Sequence, residues 1–341
     1  MPSRDWSAEH EREHMSRRTW RVIAPGSLTT VQDRGRDGWR HLGVGRAGAL
    51  DPASAALANR MVGNPSDAAV LEITLGGPTL ELPQPARIAL SGAAVDARFE
   101  DARNRVHTVP CGRPVDLPAG LLRLGAIRSG LRAWLAVAGG FDVPRVLGSR
   151  STDLRGGFGG LHGRALRSGD GLPLGPQPAL DLVEPRAPAW WIALDTAPAN
   201  ASPIRYVPSE CSAASIDAAH ALASHDWRVD PRSDRQGLRC SGAPIVATLP
   251  EQISAPVAPG TLQLPPDGQP IVLLADAQTV GGYPRLGHVI SVDLPRLAQL
   301  RAGDALRFEA ITADAATLLQ RKRNGELARA LLAIDDRLRC V

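Results

Sequence analysis

Between residues 70 and 174 short apolar runs recur with Gly, Pro or Asp between them, and this spacing limits the chain more than any other feature. The runs 70–75, 88–90, 121–124 and 132–137 are too short for core helices. Short strands set between turn residues bury their apolar faces by stacking sheets or by closing into a barrel. The second half resumes the pattern, with strands expected at 204–207, 227–229, 260–264 and 271–275.

Helices are few. Asp51-Pro52 reads as a helix start, Asp51 capping and Pro52 in the first turn, running through Met61 to a stop at Gly63-Asn64-Pro65. Further helices are expected over 216–222, from near Asp293-Leu294-Pro295, and from about 313 to 337. A Pro- and Ala-rich passage over 174–202, containing Trp190-Trp191, marks a boundary. The expected division is a disordered extension at 1–18, an N-terminal β-rich lobe at 19–200, a C-terminal β lobe at 201–312 and a helix at 313–341. A faint echo sets 120–124 and 134–140 against 260–264 and 271–282, as two related lobes would.

Composition removes several functions. No apolar run approaches the roughly 20 residues that span a bilayer, and the charged first twenty residues do not resemble a secretory signal. A cytoplasmic setting is the default expectation. Net charge is +4, yet the arginines are dispersed and aromatics make up only 4%, which argues against nucleic-acid binding. Cys111, Cys211, Cys240 and Cys340 are widely spaced, so ordinary reduced thiols are expected and no metal site. Lys322 is the only lysine. That leaves no Walker-type phosphate loop, no Schiff-base lysine and no site for covalent biotin attachment. His10-Glu11-Arg12-Glu13-His14 matches a zinc-protease pattern but sits in a charged extension without an apolar face. Gly43-Val44-Gly45-Arg46-Ala47-Gly48 matches a dinucleotide pattern but follows no hydrophobic strand.

Two polar clusters stand out. The apolar run at 271–275 empties into Asp276, Gln278 and Thr279 and breaks at Gly281-Gly282-Tyr283-Pro284. Polar groups at the end of a buried strand, followed by a reversal, suit a ligand site. The other reading is that they satisfy turn backbone groups. Near the N-terminus Thr29-Thr30-Val31 leads into Gln32, Asp33, Gly35 and Arg36. Gln offers donors and an acceptor, Asp accepts or abstracts a proton, and Arg clamps carboxylates, which suits a small amide- or carboxylate-bearing molecule. The two clusters are expected to share one cleft.

Residues 31–38, Ala47-Gly48-Ala49-Leu50-Asp51, Val62-Gly63-Asn64, 71–78, 136–140, 147–152, 163–166, 233–237 and 276–284 together resemble the biotin-dependent carboxyltransferase family, over about 21–310. That family includes the C component of 5-oxoprolinase, the second component of allophanate hydrolase and the carboxyltransferase region of urea carboxylase. The resemblance implies a mainly β (α+β) protein of two barrel-like, cyclophilin-like lobes with a few helices. It also implies partners resembling the B and A components of 5-oxoprolinase, and ATP-dependent opening of the 5-oxoproline lactam by the complex. Transfer of a carboxyl group from another chain's carboxybiotin to an amide such as urea is the second expectation. The third is a non-enzymatic regulatory partner of a kinase inhibitor resembling the B component. On these grounds Asp276 (base or orienter), Gln278, Asp33 and Arg36 (orienting a carboxylate or bicarbonate-like group) are the candidate catalytic residues. Gln32, Thr279, Tyr283, Arg150, Thr152, Asp234 and Arg235 are the candidate substrate contacts. Against this stands a plainer reading, in which Asp33 with Arg36 and Asp234 with Arg235 are structural ion pairs, and Asn59 and Glu72 are satisfied buried polar groups.

Overall fold

The computed structural model describes residues 18–192, 202–209, 213–247 and 253–339. The extension at 1–17, with His10 and His14, and the cysteines Cys211 and Cys340 lie outside the described residues. Two compact units are present, and their membership does not follow the chain simply. The described residues 18–34, 53–192 and 331–339 form the first, while 35–52 and the rest up to 330 form the second.

The first unit is built on two antiparallel sheets. One runs in the order Gly171–Pro173, Thr19–Ala24, Thr79–Leu82, Gly120–Ile127, Val95–Asp101, Val106–Thr108. The other runs Leu28–Gln32, Val70–Thr74, Arg132–Val137, Ala86–Gly92, Pro114–Leu117. Alternation along the strands sends one side chain in two toward a common core. Trp20, Leu80, Phe99 and Leu122 of the first sheet thus share a cluster with Val31, Leu71, Ile88 and Leu135 of the second. Trp20 meets Phe141 edge-on at 6.0 Å.

On the other face of the second sheet, Thr30, Glu72, Trp134 and Ser91 stand in register across four neighbouring strands. All four are buried, so this row must satisfy its own polarity. Trp134 Nε1 donates to Glu72 at 3.1 Å, and Ser91 Oγ donates to the Ser54 carbonyl at 2.7 Å. That carbonyl belongs to the helix Pro52–Met61, whose residues 54–59 and 61 are buried. Pro52 starts this helix, and Asn59 and Asn64 close it: Asn64 Nδ2 donates to Asn59 Oδ1 at 3.1 Å and to the Val137 carbonyl at 2.8 Å. Asn59 and Glu72 are therefore satisfied buried groups.

The second unit is an eight-stranded sheet that nearly closes on itself. Its order is Ala305–Leu306, Trp227–Val229, Gly237–Ser241, Ile271–Leu273, Thr261–Gln263, Arg285–Val289, Ile204–Pro208, Phe308–Ala310. The two end strands are consecutive in the chain, separated by Arg307 alone. Leu306 pairs with Trp227 while Phe308 pairs, parallel, with Ile204, so the chain passes from one edge to the other within one residue. Closure of this kind removes exposed edges. The helix Ala213–Ser224 is held by Tyr206 Oη donating to the Ala219 carbonyl at 2.9 Å and Trp227 Nε1 to the Leu222 carbonyl at 3.0 Å. Burial pushes the Tyr206 hydroxyl up to about 12, and burial likewise pushes the Cys240 thiol far up, leaving it inert.

One expectation is corrected. The strands 120–127 and 132–137 lie in different sheets, whereas 261–263 and 271–273 pair directly, so the echo in sequence is no shared topology. The helix expected near Asp293-Leu294-Pro295 is present as a single turn, Leu294–Leu297, and Asp293 makes no side-chain cap for it. Its fully buried carboxylate instead takes Arg205 in a bidentate pair, Nε at 2.9 Å and Nη2 at 2.6 Å, and accepts the Arg205 backbone N–H at 2.8 Å. The final helix runs Ala313–Arg339, and of its described residues only Ile334 is buried. In the first unit Asp335 of this helix pairs with Arg60.

Removing one member of a buried ion pair strands the other, which typically costs about 3–5 kcal/mol. Asp293→Ala is therefore expected to lower the stability of the second unit by about 3 kcal/mol, the low end because Arg205 keeps 28% of its side chain exposed. Urea unfolding followed by circular dichroism reads the shift; an unchanged midpoint would remove Asp293 as an anchor.

Candidate functional site

The two clusters expected from sequence fall in different units, and Arg36 goes with the second. In the first unit Leu28–Gln32 is an edge strand whose outer backbone is met by a loop. Thr152 N–H donates to the Val31 carbonyl at 2.9 Å and Leu166 N–H to the Thr29 carbonyl at 2.9 Å. The loop is wound through Gly157, Gly159, Gly160 and Gly163, all at positive φ. At Gly160 a Cβ would overlap the Thr152 hydroxyl, so both backbone angle and space demand glycine there.

Asp33 stands where strand and loop join. Its carboxylate accepts Ser149 Oγ at 2.6 Å, Ser151 Oγ at 2.6 Å and the Arg150 N–H at 2.5 Å, while its own N–H donates to Ser151 Oγ at 2.9 Å. A carboxylate so saturated organises the loop around it. Asp33 is thus an anchor, and Ser149 and Ser151 are the partners that sequence reading passed over. The Ser-x-Ser spacing before Thr152 was the available signal.

Gln32 and Thr152 lie within the same fabric. Gln32 Nε2 donates to Thr30 Oγ1 at 3.1 Å and to the Thr152 carbonyl at 3.2 Å, and Thr152 Oγ1 donates to the Val31 carbonyl at 3.0 Å. Both side chains are fully buried. Arg150 turns back to Asp142 at 2.6 Å and to the Val143 carbonyl at 2.8 Å. These three support the loop by contacts inside the protein.

In the second unit the apolar run ends as the sequence suggested. Ile271–Leu273 is a buried strand, and Asp276 follows it, buried. Its carboxylate is gripped by Arg235, Nε to Oδ2 at 2.9 Å and Nη2 to Oδ1 at 3.0 Å, with both side chains 3% exposed or less. The same Nη2 donates to the Gly48 carbonyl at 2.7 Å. Bidentate contact with a guanidinium fixes the Asp276 carboxylate in place. Arg235 therefore does not pair with Asp234, whose carboxylate caps its own turn through the Gln236 and Gly237 N–H groups at 2.7 and 3.1 Å.

Beyond Asp276, the chain forms a two-stranded ribbon, Val280–Gly281 with Ala255–Pro256, extended by Val257 N–H donating to the Thr279 carbonyl at 3.0 Å. Thr279 is buried, Gln278 half-buried and Tyr283 exposed. Arg36 is buried in this unit, its N–H donating to the Arg46 carbonyl at 2.8 Å. Arg40 follows within the same basic stretch, and its guanidinium donates to the Val257 carbonyl. Burial, then the neighbouring charge of Arg46, draws its pKa down. Among the described residues no group of His, Cys, Asp and Glu could hold a metal ion. What this unit can do is present amide, hydroxyl and guanidinium donors to an electron-rich carbonyl or carboxylate beside a rigid ion pair.

Residues 42–310 match the family model described as carboxyltransferase domain, subdomain A and B. The chain is 40% identical over 296 residues to the 5-oxoprolinase C component of Escherichia coli (strain K12), covering 84% of this chain and 90% of that protein. It is 34% identical to the 5-oxoprolinase C component of Haemophilus influenzae, over 93% of this chain and 99% of that one. The solved structure of the Kluyveromyces lactis urea carboxylase superposes with a TM-score of 0.78 at 29% identity, over 92% of this chain and 29% of that chain. The solved relatives are longer: the chain spans 56% of another of them. No helix among the described residues is long and apolar enough to cross a membrane.

Arg235→Ala and Asp276→Ala are each expected to cost about 3–5 kcal/mol, with the double variant less destabilised than the sum, since it leaves no unpaired charge. Additive losses in a denaturant double-mutant cycle would deny the coupling. Asp33→Asn keeps the size of the side chain but turns one acceptor oxygen into a donor facing a hydroxyl or N–H, at an expected cost of about 1–3 kcal/mol. Faster proteolytic nicking within 149–163 is the expected sign.

Proposed function

Because the chain belongs to the carboxyltransferase-domain family, we propose that it is the C component of an ATP-dependent 5-oxoprolinase, which with partner subunits opens the 5-oxoproline lactam to glutamate. One observation carries this choice. The chain is 40% and 34% identical to the curated 5-oxoprolinase C components of Escherichia coli and Haemophilus influenzae, against 30% to the urea amidolyase of Lachancea kluyveri.

The chemistry accords with the residues. Opening a lactam places negative charge on the carbonyl oxygen as the C–N bond weakens, and donors fixed in advance stabilise that charge best. Gln278, Thr279 and Tyr283 follow a buried strand and the Arg235–Asp276 pair, which supplies the rigidity. Their part is to hold and orient the amide. The ATP that drives the reaction is assigned to a partner, because the sequence offers no Gly-Lys phosphate loop. Chains resembling the B and A components are the proposed partners, and cytoplasm the proposed setting. The second reading, carboxyl transfer from a carboxybiotin on another chain to urea, keeps its basis in the urea carboxylase likeness.

Mixing the purified chain with its partner subunits is expected to give ATP-dependent glutamate release from 5-oxoproline, lost when this chain is omitted. Gln278→Ala and Thr279→Ala are each expected to reduce kcat/KM by about tenfold or more, the scale of one lost donor of about 1.4 kcal/mol. Full turnover without this chain, or urea-dependent carboxyl transfer in place of lactam opening, would overturn the assignment.

A further inference from the structure

Gln263 and Arg40, both in the second unit, each carry a buried nitrogen with no partner among the described residues. Gln263, at the end of the strand Thr261–Gln263, is 1% exposed, and its amide nitrogen makes no hydrogen bond. A buried amide left unpaired is costly, so its presence calls for a reason. The amide faces the ribbon at Gly281, where a Cβ would stand 2.6 Å from Gln263 Nε2 and 3.3 Å from Val257 Cγ1. Having no side chain, Gly281 lets the ribbon approach the amide closely without covering its nitrogen. The second donor is held by Val257, whose carbonyl accepts Nη2 of Arg40, while Nη1 of the same guanidinium is buried without a partner. Arg46 adds like charge nearby, although it is itself paired with Asp37 at 3.0 Å.

The two donors differ in kind. An amide side chain matches another amide, donor to acceptor and acceptor to donor, whereas a guanidinium matches a carboxylate. We propose that Gln263 and Arg40, set about Val257, are the recognition groups for an anionic cyclic amide, Gln263 reading the N–C=O edge and Arg40 the carboxylate. This rests on the lactam-opening reading above and specifies how the substrate would be told apart from neutral amides such as urea. No bond is made or broken by either residue; both are positioning groups for the ligand.

The test uses Gln263→Met, Arg40→Met and Gly281→Ala, with 5-oxoproline, its carboxylate-free analogue 2-pyrrolidone, and urea as probes. Calorimetric titration of the chain, alone and assembled with its partner subunits, is expected to show 5-oxoproline binding weakened at least tenfold in all three variants. In Arg40→Met the preference for 5-oxoproline over 2-pyrrolidone should vanish, because the lost contact is to the carboxylate alone. Gln263→Met should unfold at the same denaturant concentration as the parent or a higher one, since no internal hydrogen bond of the amide nitrogen is removed; a marked loss of stability would mean a structural role and overturn the proposal. So would unchanged affinity in the variants, or no binding of any probe by the parent chain and complex. The two readings can fail apart: turnover of 5-oxoproline that survives all three substitutions sinks this site and spares the lactam-opening function. Binding lost in the variants of a complex that never releases glutamate does the reverse.

Discussion

A carboxylate taken out of water at the end of a strand must have its charge met by fixed donors, and the second unit is arranged around that requirement at Asp276. Arg235 meets it with two parallel hydrogen bonds and spends a third on the Gly48 carbonyl. One guanidinium thereby ties the turn before Gly237–Ser241, the end of Ile271–Leu273 and the 35–52 segment together. Desolvating both charges is costly, and the geometry has to be good enough to offset it. Such a pair has little freedom to shift, and the polar residues that follow it inherit that fixity.

The same device recurs with different donors. Asp293 is held by Arg205 beside a one-turn helix, and Asp33 by two serine hydroxyls and a backbone N–H. With Lys322 the single lysine among 39 basic residues, the chain relies on guanidinium groups. A planar fork can satisfy both oxygens of a carboxylate at once, which an ammonium cannot. Arg87 with Asp116 and Arg164 with Asp170 repeat the pattern at half-exposed positions. Many of the dispersed arginines, which argued against a nucleic-acid surface, are internal fasteners of strands and loops.

Much of the fold was legible. Pro52 and the Gly63-Asn64-Pro65 stop bracketed the first helix because φ restriction and missing donors act locally, whatever the rest of the chain does. The runs at 70–75, 132–137 and 271–275 became strands because short apolar stretches between turn residues have few other places to go. The one-turn helix at Leu294–Leu297 begins where Asp293-Leu294-Pro295 pointed, but the partner of Asp293, Arg205, lies 88 residues away and no local pattern marks it. Likewise the resemblance of 120–140 to 260–282 reflected shared strand chemistry and said nothing about which strands would pair.

What the amino-acid order determined by itself was the inventory: β-rich units, a few helices with their ends, and two clusters of polar residues at strand termini. These follow from backbone preferences and from apolar spacing, which are properties of neighbours in the chain. Only the tertiary structure decided what each polar residue does. Asp33 became a loop anchor, Asp276 a partner of Arg235, and Asp234 the cap of its own turn, while Gln263 and the Nη1 end of Arg40 were left with donors unused. The physical reason is that a charge or an amide is satisfied by whatever stands within about 3 Å, and distances of that size between residues far apart in sequence exist only once the sheets have closed.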